Sequence, residues 1–238
     1  MVQDEFQLTF IPVKVARNLA IGALFLILAS TVGQFFKYEL EYDNVKGFVP
    51  LFYLDYEWNI PTFYSVFLLL VASSLFFVLA RLEKERLNRH VSKWVLLSLL
   101  FLFMGVDEFC CFHERLNAPI SNMIGNETMG NFYFAWVIPG IVVAGTVGVY
   151  FFRFVWQLPN KTKLLLVFSA FLYLGGALGF ELIGGRQAEM HGMNNWLYTF
   201  YATVEETLEM SGVILLIFTL MSYIQQTYHQ FRLSFFYN

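Results

Sequence analysis

Charge is scarce in this sequence. Asp, Glu, Lys and Arg make up 14% of its 238 residues, where a soluble domain carries about a quarter. Cysteine is scarcer still. Cys110 and Cys111 are the only two, and as neighbours they cannot build a disulfide framework. A basic excess is missing as well: the formal charge of -3 gives no basic surface for the phosphates of a nucleic acid and excludes such a partner. No run alternates polar and apolar over a strand length, so a membrane β-barrel is excluded. No internal repeat is evident, which gives no ground for an inverted-repeat transporter. What fills the space is hydrocarbon. The apolar share is 58% and the mean hydropathy +0.56, the composition of an integral membrane protein rather than a disordered chain or a coiled coil.

A helix needs about 20 mostly apolar residues to cross a bilayer. Six stretches qualify, at about 18–36, 62–80, 94–112, 132–152, 164–184 and 198–223. The expected fold is all-α, a polytopic six-transmembrane-helix bundle forming one membrane-embedded domain over residues 1–238. The N-terminal apolar run follows Arg17 and has no small-residue cleavage site, so it reads as a signal anchor.

Loop charges orient the bundle. Eleven of the 15 Lys and Arg fall in the two tails and the second and fourth loops, among them Arg81, Lys93, Arg153, Lys161 and Lys163. The positive-inside rule then makes both termini cytoplasmic, in a cell (inner or plasma) membrane. The acids are opposite: 14 of the 18 lie in outer loops or outer helix ends. The expected site is therefore extracytoplasmic and suited to cations.

Three helices bring acids to one depth. The third carries Asp107, Glu108, His113 and Glu114 at its outer end. On a continuous helix Asp107 and Glu114 share a face, whereas His113 stands about 120° from Asp107 and joins them only if the helix unwinds. The fifth carries Glu181 among glycines, with Gly175 and Gly179 spaced for close helix approach. The sixth carries Glu205, Glu206 and Glu209 within an arc of about 100°, near enough its start to expect modest dipole help. Seven carboxylates at such a depth normally face the bundle interior, and like charges so close cannot all ionise. Arg115 and Arg186 are too few to balance them, so protons or a metal must. The outer loops add His191 and Glu57, with Asp55, Asn59 and Glu189 beside them. Carboxylates with histidine suit iron or manganese in helical bundles, though the usual Glu-x-x-His element is absent. Zinc fits the same donors, and calcium fits the oxygens alone.

Each feature has a plainer reading. The acids of the third and sixth helices can be solvated helix ends, and His113 a hydrogen-bond partner of a carboxylate. His191, Asp55 and Glu57 can be ordinary loop residues. Cys110 and Cys111 suit packing, and the Arg81–Lys93 loop suits a topology anchor. Asn126–Thr128 matches a glycosylation sequon.

The strings YLDYEWNIPTFYSVFLLL, GVDEFCCFHERL, GFELIGGRQAEMHGMNN and TVEETLEMSGVILLIFTLMSYI resemble an uncharacterised family of multi-pass bacterial membrane proteins with DE...HE and EExxEM signatures. The similarity runs from about Leu51 to Ile224. It implies the bundle and no activity. Alkaline ceramidase-like hydrolases, with a three-histidine zinc site, do not match: His90 and His229 fall on the wrong side. Three functions stay open. One is a metal site, with an enzyme acting on a lipid or amphiphile as its extension. The second is a proton- or cation-coupled transporter or channel, which the uncharged inner halves of the helices disfavour. The third is a structural subunit meeting a basic partner. The bilayer is the one partner common to all three, and the oligomeric state is open.

Overall fold

A computed structural model describes residues 6–8, 11–85, 90–125, 129–228 and 233–235. Asp4, Glu5, Arg86, Arg89, the Asn126–Thr128 sequon, His229 and Arg232 lie outside the described residues.

Helix is the dominant element. The chain runs through β1 (Phe6–Leu8), α1 (Pro12–Glu39), α2 (Phe48–Phe52), α3 (Ile60–Glu85), α4 (Val91–Cys110), α5 (Phe112–Arg115), α6 (Asn117–Ile124) and α7 (Val137–Trp156). It continues through α8 (Asn160–Leu174), a π-turn (Gly175–Phe180), α9 (Glu181–His191), α10 (Trp196–Tyr228) and β2 (Leu233–Phe235). The short strands β1 and β2 pair antiparallel. Five helical segments are long and apolar enough to cross a membrane: α1, α3, α7, α8 with α9, and α10. A sixth is the pair formed by α4 with α5 and α6, bent by 66°.

Local chemistry sets the boundaries. Pro12 and Pro61 sit in first turns, where a missing N–H costs nothing. Asn59 caps α3, its Oδ1 accepting the Thr62 N–H at 3.1 Å. Asn195 caps α10 in the same way, accepting from Tyr198 N–H at 3.0 Å. The third apolar stretch departs from expectation. Cys111 adopts a left-handed conformation at φ 52° and ends α4, so the run from Val91 is no single straight helix. The segment after Gly184, expected as a loop, extends the fifth helix to His191. The fourth helix starts at Val137 rather than near Phe132, because a 3-10 turn takes Gly130–Phe132.

The packed core lies toward the end of the bundle away from the acids. Leu68, Leu69, Ala72, Phe76, Leu79 and Trp94 meet Met210, Ile217, Leu220 and Ile224, all almost fully buried. Ser73 and Ser98 stitch α3 to α4, each hydroxyl donating to the other's carbonyl at 2.7 and 2.9 Å. Without a hydrophobic drive between helices in lipid, such bonds and close packing hold the pair. The glycines that permit close approach are not Gly175 and Gly179, which face open space. They are Gly176, where a β-carbon would lie 2.7 Å from the Glu205 carbonyl, and Gly212, 2.8 Å from Tyr173 N. The π-turn widens one helical turn and shifts which glycine meets α10.

Candidate metal centre

The break at Cys111 turns His113 back onto α4. Its Nδ1 lies 2.8 Å from Asp107 Oδ2, and its backbone N–H donates to Asp107 Oδ1 at 3.1 Å. Both carboxylate oxygens of Asp107 thus serve His113. The imidazole packs against Trp136, with ring centroids 4.8 Å apart. The indole N–H of Trp136 donates to Glu181 Oε1 at 2.8 Å. Trp136 is itself fixed by its backbone N–H, which donates to Asn117 Oδ1 at 3.0 Å.

The π-turn ends at Glu181, and its carboxyl group is hydrogen-bonded to that of Glu205. Glu206 and Glu209 stand within electrostatic reach of Glu108 across the bundle. Glu209 also contacts the hydroxyl of Tyr173. His113 feels the fields of Glu108, Glu114, Glu181 and Glu209. Asp107, Glu108, His113, Glu181, Glu205, Glu206 and Glu209 are all half-buried. Glu205 follows Trp196 by nine residues, about 14 Å along α10. It is therefore no frayed helix start, and the expected dipole help is absent, because that effect fades within the first turn.

A strap over residues 40–59 closes the acidic end of the bundle. Asn59 anchors it: its amide donates to Tyr53 O at 2.6 Å while its Oδ1 caps α3, which leaves it a structural residue. Trp58 Nε1 donates to Phe109 O at 3.0 Å and ties the strap to the last turns of α4. Tyr198 donates to Asp55 Oδ1 at 3.2 Å, and Lys37 donates to Tyr56 at 3.1 Å among three tyrosine rings. Burial pushes the Asp55 carboxyl up to about 7. The Tyr198 hydrogen bond and the Lys37 charge oppose that shift, and Glu181 and Glu114 add to it. Glu57 is raised too, by burial and then by the charge of Glu114.

Glu57, Cys111 and Glu114 form the one trio of metal-ligand groups among the described residues whose donor atoms all lie within 4.8 Å of one another. Cys111 is buried, as its packing reading expects, yet its thiol meets Glu57. The trio forms because the helix breaks: Glu114 leaves the face of Asp107 and sits exposed beside the strap. His191 is exposed at the end of α9. Glu189 accepts the backbone N–H groups of Met129 and Gly130 at 2.6 and 2.8 Å, so its oxygens serve a turn. Arg115 and Arg186 are exposed. Among the described residues the single ion pair is that of His113 with Asp107.

Sequence reasoning missed Trp136, Tyr173 and Lys37. Trp136 reads as an interfacial aromatic and Tyr173 as part of an apolar run. Neither carries a signal of its own.

No curated protein and no solved structure gives a match. Residues 18–224 match the family described as Domain of unknown function (DUF8692). That match covers most of the chain, and the protein belongs to this family.

Proposed function

We propose that the protein spans the membrane six times with both termini cytoplasmic, and that its outer half holds a divalent metal: iron, manganese or zinc. In this reading α4 is the third span, and α5 and α6 lie along the outer interface. The observation that carries the proposal is the Asp107–His113 pair set among acids. A carboxylate holding one imidazole nitrogen is the usual outer-shell support of a metal-ligating histidine. Nε2 then serves as the ligand, with Glu108, Glu181, Glu205, Glu206 and Glu209 supplying oxygens. Asp107 becomes the orienting group rather than a ligand. The shortage of local cations supports the same reading, since carboxylates this close cannot all ionise unaided. A metal held there supplies Lewis acidity and an activated water. A lipid or amphiphile is the substrate class that a membrane-depth site can meet.

Transport is the competing use of the same acids. The floor beneath them counts against a conduit. Leu68, Leu69, Phe76, Leu79, Ile217 and Leu220 are buried there, and the hydroxyls of Ser73, Ser98 and Thr219 among them are bonded to backbone carbonyls.

Elemental analysis of detergent-purified protein, wild type beside Glu209→Ala, is the test. One or two equivalents of metal in the wild type, lost in the variant, is the expected result. No metal in either sample, even after reconstitution, would overturn the reading. The acids would then share protons, and proton flux in liposomes would become the question.

A further inference from the structure

The end of the bundle opposite the acids carries basic residues that the metal site does not use. Helix α7 presents an open apolar face, notched at Gly145, formed by Ile141, Val142, Gly145, Thr146, Val149 and Tyr150. The face is hydrocarbon in effect. The Thr146 hydroxyl donates to Val142 O at 2.7 Å, so its proton is spent within the helix. A β-carbon on Gly145 would meet nothing within 4 Å, so the missing side chain opens the notch rather than admitting a neighbouring helix.

The same helix face continues into charge. Arg153 follows Val149 by one helical turn and is exposed, and Trp156 follows on that face. Two lysines flank them. Lys93 Nζ lies 3.3 Å from the centroid of the Tyr150 ring. Lys163 Nζ lies 4.5 Å from the centroid of the Trp156 ring. Aromatic faces hold both ammonium groups in place. Among the described residues none of these three cations has a carboxylate partner. An apolar face that ends in three cations with no carboxylate partner among the described residues is complementary to one ligand class.

We propose that α7 carries a binding site for an anionic phospholipid, its acyl chain along the Ile141–Tyr150 face and its phosphate among Lys93, Arg153 and Lys163. The site is independent of the metal centre. Basic groups between helix ends select anionic headgroups, each contributing about a fivefold gain near such a surface. A phosphatidylcholine of the same chains has no net charge to offer them.

Native mass spectrometry of the full-length protein in detergent, titrated with phosphatidylglycerol or phosphatidylcholine of identical chains, tests the assignment. The wild type is expected to retain phosphatidylglycerol at one lipid per chain and to release phosphatidylcholine. Lys93→Gln with Arg153→Gln is expected to weaken phosphatidylglycerol binding about thirty-fold. Gly145→Leu fills the notch with all charges intact and is expected to weaken it too. Thermal melting in phosphatidylcholine micelles identifies variants that stay folded. If the double variant does not, the wild type alone decides, through a higher Tm with phosphatidylglycerol than with phosphatidylcholine. Equal retention of the two lipids, or undiminished phosphatidylglycerol binding in folded variants, would overturn the proposal. So would a lipid-free dimer that Gly145→Leu dissociates, because a second copy would then cover that face.

Discussion

The two ends of this bundle are built on opposite principles. Toward the basic end, α3, α4 and α10 bury Leu, Phe, Trp and Ile on their facing sides, the serine pair at 73 and 98 satisfies its own polar groups, and the one buried acid among the described residues, Glu83, accepts from Tyr228. Toward the acidic end α4, α9 and α10 carry carboxylates at half-buried positions, where each costs free energy. The helical architecture needs only the first half. A bundle of apolar helices requires no acids, so the second half departs from packing logic on those three helices. Two backbone irregularities mark the departure: the left-handed Cys111 and the π-turn at 175–180. Each re-aims a candidate ligand, His113 in one case and Glu181 in the other. Such breaks in a regular helix concentrate at functional sites.

The sharpest way to break the comparison is at the helix contact that both halves share. Gly212→Leu drives a side chain into the backbone at Ser169 and Tyr173, 2.8 to 3.0 Å away. Overpacking of this kind costs about 1–3 kcal/mol or more, and backbone cannot swing aside. The expected outcome is little folded protein by size-exclusion chromatography. Next comes the floor. Leu220→Ala removes a fully buried side chain and is expected to destabilise by roughly 2–5 kcal/mol. Val142→Ala on the exposed face of α7 is expected to leave Tm nearly unchanged. Equal shifts for the two would show that the floor is not packed as described.

A smaller effect belongs to the acidic end. The Asp55 carboxyl titrates near 7 in the folded protein against 3.8 when free. Between those values the folded state binds more protons than the unfolded state. Stability therefore falls as pH rises through that window and levels off above it. Asp55→Asn is expected to melt less steeply with pH than the wild type, measured by Tm from pH 4 to 8. Identical slopes would remove Asp55 from the buried set. Smallest is Ser73→Ala, which loses interhelical bonds averaging about 0.6 kcal/mol in membrane bundles. A loss several times larger would mean that polar stitching, and not apolar packing, holds the basic end.

Much of the bundle is legible in the sequence because bilayer thickness dictates helix length. The apolar runs therefore announce where the helices lie, while the ends of the first, fourth and fifth and the break in the third depart from them. The acids are legible as a group, since carboxylates within apolar runs have no packing role. Their partners are not. Asp107 and His113 face apart on a regular helix, and nothing in CCFHERL says that Cys111 will turn left-handed. Gly176 is indistinguishable in sequence from Gly175, and the π-turn alone selects between them. Trp136 joins His113 to Glu181 across three separate elements, a link made by packing rather than by spacing. The strap half-buries Asp55 and sets the exposed Glu57 beside Cys111 in the same manner. Their positions as loop acids are unreadable until Asn59 and Trp58 fasten the strap over the bundle.

X-ray absorption at the edge of the metal found in the purified protein tests the central claim most directly. The account predicts a first shell of oxygen and nitrogen alone, at about 2.0–2.2 Å for zinc, with the signature of one imidazole that disappears in His113→Ala. A sulfur neighbour at about 2.3 Å would instead place the ion at Glu57, Cys111 and Glu114, and would contradict the site assigned to Glu108, His113, Glu181, Glu205, Glu206 and Glu209.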